Sequence, residues 1–222
     1  MNSNYSKEND SIPRIITQFF SSVTEVPFVY QGQEYHPITL TVSPGLLRGF
    51  TCPENCGACC RFVSIDYLPS EQTPPSIEVI DKPVDFNNKT YTLKAVKRTV
   101  KYSDRCEQLD KTNGRCTIHN FHSFSCDFEL IRFMLPKDIT KPSHLTNRLR
   151  GRYWKMIKLD GTKGALCRMT PPTQESINDV KRRLLRLQDW CNFFEIRSKI
   201  PRIIQWIDSG DTSKSLILKP EI

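Results

Sequence analysis

Residues 52–60 read CPENCGACC, with thiols at Cys52, Cys56, Cys59 and Cys60. Four thiols within nine residues point to soft-metal chemistry, because thiolates select zinc or iron–sulfur centres over magnesium or calcium. Gly57 suits a backbone that bends tightly around an ion. Were the segment helical, its steps of four and three would still set Cys52, Cys56 and Cys59 on one face. The adjacent pair Cys59-Cys60 is poorly suited to a mutual disulfide. Neighbouring Cα atoms lie ~3.8 Å apart, below the usual ~4.4–6.8 Å window. In an extended chain the two side chains point to opposite faces, so the pair can serve two sites, or one thiol can be a spectator.

A second group follows in CEQLDKTNGRCTIHNFHSFSC, which holds Cys106, Cys116 and Cys126. Its two ten-residue spacings suggest ligands from separate loops or strands. One tetrahedral zinc takes four ligands, so these seven candidates imply either two sites or one site with structural cysteines beside it. Cys167, in KGALC, is a candidate eighth ligand that would permit two four-cysteine sites; the alternative for it is a buried half-hydrophobe. His119 and His122 stand between two candidate ligands and have ring nitrogens to offer, against a polar packing role. Cys191 falls in the apolar stripe of an expected helix and is assigned to packing.

The chain's 222 residues do not need staples for stability, so small size does not explain nine cysteines. No run of ~18 apolar residues is present, and the start, MNSNYSKEND, has no apolar signal core. A reducing, cytoplasmic setting without membrane contact is the expectation, and there clustered cysteines more often bind metal or catalyse than form disulfides. The formal net charge is +8, compatible with acidic partners.

Residues 1–11 read as a disordered polar tail, and 12–222 as a single cysteine-cluster metal-binding domain. Ile12, Ile15, Ile16, Phe19 and Phe20 recur at helical spacing. Residues 26–43 read as strands turning near Gln31-Gly32, with Pro37 arguing for an edge. The prolines at 69, 74, 75 and 83 predict an irregular loop over 68–83, and Asn87-Asn88 predicts a hairpin. One or two strands are expected over 148–169, broken at Asp160-Gly161. The clearest element is a helix carrying Ile177, Val180, Leu184, Leu187, Cys191 and Phe194 on one stripe, capped by Thr173 or Ser176. A short helix through Ile203, Ile204, Trp206 and Ile207 should end at Ser209-Gly210. The predicted class is α+β: a small, irregular, metal-stapled domain of short antiparallel strands with a long C-terminal helix.

On these residues the sequence resembles the YkgJ-type cysteine-cluster family, a zinc- or iron-chelating domain with a CxxCxxCC signature. Cys56, Cys59 and Cys60 match the end of that signature, and Cys52 sits one residue further upstream than its shortest form. Gly114, Cys116, Ile118 and Cys126 match the later pattern in register, with Cys106 upstream. His119 replaces the usual tyrosine, and His122-Ser123 the usual Arg-Pro. The resemblance covers about residues 50–130 and implies metal binding by Cys52, Cys56, Cys59, Cys60, Cys106, Cys116 and Cys126. Flagellin lysine methylases carry a similar cluster, which implies a protein-modifying role.

Three functional readings compete. The first is a cysteine-ligated metal protein, with an iron–sulfur cluster or zinc, supporting protein modification or redox chemistry with an unidentified protein partner or substrate. The second is a radical S-adenosylmethionine enzyme, because Cys52, Cys56 and Cys59 resemble that superfamily's C-x3-C-x2-C spacing; Ala58 stands where an aromatic is usual, and no Gly-Gly-Glu-type segment follows. The third is a nucleic-acid-binding zinc protein. Segment 148–168 holds seven basic residues and a single acid, Asp160, with Tyr153 and Trp154 available for stacking. Lys181, Arg182, Arg183 and Arg186 extend the basic stretch. Its alternative is a solvated face that offsets the charge of a thiolate centre. Asp66 is assigned a surface or hydrogen-bonding role ahead of a catalytic one.

Overall fold

The computed structural model describes residues 20–51, 65–96, 106–110, 112–121, 123–124, 134–136, 156–157, 163–164 and 168–220. The expected tail over 1–11 and the apolar repeat at Ile12–Phe19 lie outside them. A helical turn at Ser21–Val23 leads to β1 (Phe28–Tyr30), β2 (Gln33–Tyr35) and β3 (Leu40–Val42). A 3-10 turn at Pro44–Leu47 precedes β4 (Arg48–Thr51); β5 (Asp66–Tyr67), β6 (Val79–Phe86) and β7 (Lys89–Val96) follow. After a second 3-10 turn, His119–Phe121, come β8 (Met134–Pro136), β9 (Met156–Ile157), β10 (Lys163–Gly164) and β11 (Arg168–Pro172). The helices α1 (Gln174–Phe193) and α2 (Ile200–Asp208) and the strand β12 (Leu216–Leu218) complete the order.

Among the described residues the strands form a five-stranded sheet in the order β2-β1-β6-β7-β5, a three-stranded sheet β12-β3-β8, and the two-stranded ladders β9-β10 and β4-β11. Every pairing is antiparallel. Antiparallel sheets and a long helix make the class α+β, as expected. Both predicted turns are present. Gln31 and Gly32 have φ of 49° and 76°, and Asn87 and Asn88 of 48° and 58°. Positive φ at both central residues is the type I′ geometry, whose twist matches the flanking strands. β2 is an edge strand, with Pro37 just beyond its end.

The loop expected over 68–83 is too long. β6 begins at Val79 and contains Pro83, which lies opposite Thr92 on β7. The hairpin closes at Phe86↔Lys89, a hydrogen-bonded pair, so alternate pairs down the ladder, Pro83↔Thr92 included, exchange no backbone hydrogen bonds. Pro83 therefore costs no bond to β7. On its other side β1 reaches β6 only at Tyr30↔Phe86. The strand short of its pairing partner is where a proline is tolerated.

The expected helical stripe is the buried face of α1: Val180, Leu184, Leu187 and Cys191 are buried, and Phe194 follows them into the core. Trp190, outside the predicted stripe, is buried as well. Both proposed caps act together. The Thr173 hydroxyl accepts from Ser176 N at 3.1 Å, and Ser176 Oγ accepts from Thr173 N at 2.9 Å, a reciprocal capping box. The Ser176 hydroxyl also donates to the Leu47 carbonyl at 2.7 Å, fixing the helix start to the chain that enters β4. Pro201 sits in the first turn of α2, where its missing N–H costs nothing. Gly210, at φ 73°, follows the end of α2, as predicted.

The main core joins β1, β3, β6 and β7 to both helices. Phe28 and Phe86 stack with centroids 5.2 Å apart, and Phe20 meets Phe194 edge-on at 5.7 Å. Lys199, the residue before α2, is fully buried; its ammonium donates to the Ile38 carbonyl at 2.7 Å and the Ser22 carbonyl at 3.4 Å. Burial pulls its pKa down to about 8, against the attraction of Glu25. Among the described residues no helix is long and apolar enough to cross a membrane.

Candidate metal centre

Cys52, Cys56, Cys59, Cys60 and Cys126 lie outside the described residues, as do Cys167 and His122. The described chain nevertheless constrains where they start and finish. β4 ends at Thr51, one residue before Cys52, and its ladder to β11 is tied to α1 through Ser176 and Leu47. After the quartet the chain re-enters at Ile65, which is buried, and continues into β5 against β7. Ile65 lies five positions after Cys60, a reach of at most about 18 Å.

Ile65 belongs to a small apolar cluster with Tyr67, Val96 and Ile118, and Cys106 and Cys116 both pack against it. The two cysteines are thiols, half-buried, and come from opposite arms of one hairpin. Leu109 bridges Cys116, Asp110 N–H donates to Arg115 O at 2.8 Å, and Thr117 N–H donates to Gln108 O at 2.8 Å. The tip between the arms is built by Asp110. Its Oδ1 accepts from Thr112 N and from the Thr112 hydroxyl, and its Oδ2 accepts from Asn113 Nδ2. Those bonds, the Thr112 hydroxyl first, hold the Asp110 carboxyl below the usual carboxylate range. Gly114 reverses the chain at φ 68°. The sequence D-K-T-N-G is thus an Asx-type turn, and it brings two thiols ten residues apart to one surface.

Two further contacts fix this hairpin. The Tyr67 hydroxyl donates to the Phe121 carbonyl at 2.8 Å, joining β5 to the 3-10 turn after Cys116. Phe124, buried, stacks on Trp190 at 4.3 Å and 17°. Cys126 lies two residues beyond Phe124, within about 7 Å along the chain. Sequence reasoning missed Tyr67, Phe124 and Trp190. The alternation in Ile65-Asp66-Tyr67 is a strand signal that points to the first of them.

The described donors fit a soft ion: two thiols on one apolar floor that also holds Ile65, where the described chain resumes after the quartet. Among the described residues no group of three or more His, Cys, Asp or Glu side chains converges to hold a metal. His119 is exposed in its 3-10 turn. Cys191 is fully buried in the main core, and burial drives its thiol pKa up, which fits the packing role assigned to it. Asp66 is not at the surface. It is buried, and Lys82 Nζ lies 3.5 Å from its Oδ1.

The basic segment 148–168 lies largely outside the described residues. The basic stretch on α1 is charge-paired: Lys181 with Asp208 at 2.6 Å, Arg182 and Arg183 with Asp179 at 3.0 and 2.7 Å, and Arg186 with Glu71 at 2.6 Å. These partners leave α1 with little net positive field.

Residues 51–144 match the family model CxxCxxCC, whose description reads "Putative zinc- or iron-chelating domain". The resemblance read from the cysteines is therefore supported, and its span extends to residue 144. Comparison with curated proteins and with solved structures found no match.

Proposed function

We propose that this chain binds metal through cysteine thiolates, with Cys52, Cys56, Cys59, Cys60, Cys106, Cys116 and Cys126 as ligands, and holds an iron–sulfur cluster that supports modification of, or electron transfer to, a protein partner. The observation that carries the reading is the packing of Cys106 and Cys116 against one cluster with Ile65, the residue at which the described chain resumes after the quartet. Seven thiols exceed the shell of one zinc ion, and sulfur-only donors in a half-buried apolar setting are the surroundings in which iron–sulfur clusters are tuned. The basic segment 148–168 offsets the negative charge of the thiolates.

Anaerobic purification followed by metal and sulfide analysis and a visible spectrum tests this. The expected result is a brown protein with stoichiometric iron and sulfide, and loss of both in Cys56→Ser and Cys116→Ser. A colourless protein with stoichiometric zinc would replace the cluster with a closed structural site. Wild-type protein without either metal would overturn the reading.

A further inference from the structure

We propose that the outer face of α1 is a self-association surface, through which two copies of this chain pair as antiparallel helices about a two-fold axis at Leu185. The proposal stands apart from the metal-binding reading and does not need it.

The buried stripe of α1 is spent on the core, so the opposite side is what a partner meets. There Leu185 is 53% exposed, the most open of the large hydrophobic side chains among the described residues. It lines a groove of about 540 Å³ that runs between α1 and Glu71 and is also bordered by Lys181, Arg182, Arg186 and Asp189. A single exposed leucine is ordinary. The order of its neighbours is what points to a partner. Lys181 lies four residues before Leu185 and Asp189 four residues after it. Steps of four place the three on one ridge of the helix, with ~6 Å of rise from each to the next. The ridge reads cation, apolar, anion.

Such a ridge is complementary to its own reverse. A two-fold axis through Leu185 sets each residue before it against the residue equally far after it in the copy. Leu185 then meets the copy's Leu185, Lys181 meets the copy's Asp189, and Asp189 meets the copy's Lys181. Arg182 falls against the copy's Gln188, beside that aspartate, and along α1 no two like charges are opposed. The arrangement is isologous and closes on itself as a dimer. Packing of two such four-step ridges is the commonest helix–helix class.

The charges within one chain leave room for this exchange. Among the described residues Asp189 is exposed and takes part in no ion pair or hydrogen bond. Lys181 holds Asp208 at 2.6 Å with its side chain 33% exposed. An ammonium has three donors, so it can keep that bond and reach a second carboxylate. A contact built on one helix pair falls below ~1,200 Å², the size of weak, reversible complexes. The formal charge of +8 opposes association at low ionic strength. Near 0.15 M salt the Debye length of ~8 Å screens that whole-molecule repulsion while ion pairs in contact persist.

Sedimentation equilibrium of the purified protein from ~10 µM to ~1 mM tests this, with reductant present so that no interchain disulfide contributes. The wild-type mass should climb from 25.8 kDa toward twice that value. Leu185→Glu should stay monomeric throughout. Lys181→Glu and Asp189→Lys should each weaken association at least tenfold, because each turns both symmetric attractions into repulsions. An equimolar mixture of those two variants should recover the dimer, since every carboxylate then faces an ammonium again. Lys181→Glu also loses its bond to Asp208, so circular dichroism accompanies each variant; Leu185→Glu changes an exposed position and keeps the test independent of that loss. Wild-type protein that stays monomeric at every concentration, a dimer that survives Leu185→Glu, or a mixture no better than its components would overturn the proposal.

Discussion

A methyl group added at Gly49 should disrupt the ladder that delivers Cys52. A Cβ at that position would stand 2.6 Å from Thr170 Oγ1 and 3.5 Å from Ser176 Cβ. Ordinary heavy-atom contact begins near ~3.5 Å, so about 1 Å must be absorbed. Thr170 is β-branched and restricted at χ1, and its backbone is held opposite Gly49 by the ladder. Overpacking of this kind costs ~1–3 kcal/mol. The φ of Gly49 is not among the positive ones, so alanine also gains ~0.4–1 kcal/mol from a less flexible unfolded chain. The expected net loss for Gly49→Ala is about 1.3 kcal/mol from the middle of those ranges. Thr170→Ala removes the clashing oxygen and leaves only Thr170 Cβ, at 4.0 Å, and Ser176 Cβ to be met. The double variant should therefore recover most of the loss, giving a coupling of about 1–2 kcal/mol. The assay is a double-mutant cycle by urea unfolding followed by circular dichroism. A Gly49→Ala cost below about 0.5 kcal/mol, or a cost that Thr170→Ala does not relieve, would refute the register of β4 and β11.

Tyr67→Phe should cost about 1 kcal/mol, because it leaves the Phe121 carbonyl without the 2.8 Å bond from the hydroxyl; faster amide exchange over residues 112–121 would report the loosened hairpin, and unchanged exchange would argue against the tether. Lys199 makes stability depend on pH. Its folded pKa of about 8 lies below the ordinary lysine value, so the unfolded chain binds more protons between the two and stability rises with pH through that interval. Below about pH 8 this slope vanishes, and Lys199→Met should remove it; urea midpoints at pH 7.5, 8.5 and 9.5 for both proteins decide the matter. Cys191→Ser should lower stability by about 1–3 kcal/mol, since it trades a fully buried thiol for a smaller, more polar hydroxyl, while leaving metal content unchanged. Metal loss in that variant equal to the loss in Cys56→Ser would contradict its placement in the core.

Local signals were readable in the sequence and distant ones were not. The turns at Gln31-Gly32 and Asn87-Asn88 carry their geometry in two residues, and α1 repeats its apolar step over five turns. The start of β6 was hidden by Pro83, whose tolerance depends on which neighbour strand reaches it. The partnership of β4 with β11 joins residues far apart in the chain, and no periodicity announces it. Trp190, three residues after Leu187 and four before Phe194, borders the stripe, and its stack on Phe124 is a contact made across the fold. At the candidate centre, spacing singled out the cysteines as candidate ligands, of which Cys106 and Cys116 are among the described residues. The means of convergence, an Asx turn at Asp110 and a tyrosine tether, became visible only in three dimensions.

Among the described residues, the larger core contains Cys191 and neither Cys106 nor Cys116 among its buried members. Its aromatic packing and helix caps do not draw on an ion for their stability. A core built this way predicts that chelation should leave the helical far-UV signal of α1 and α2 in place, as if the scaffold were a vessel that stands before it is filled.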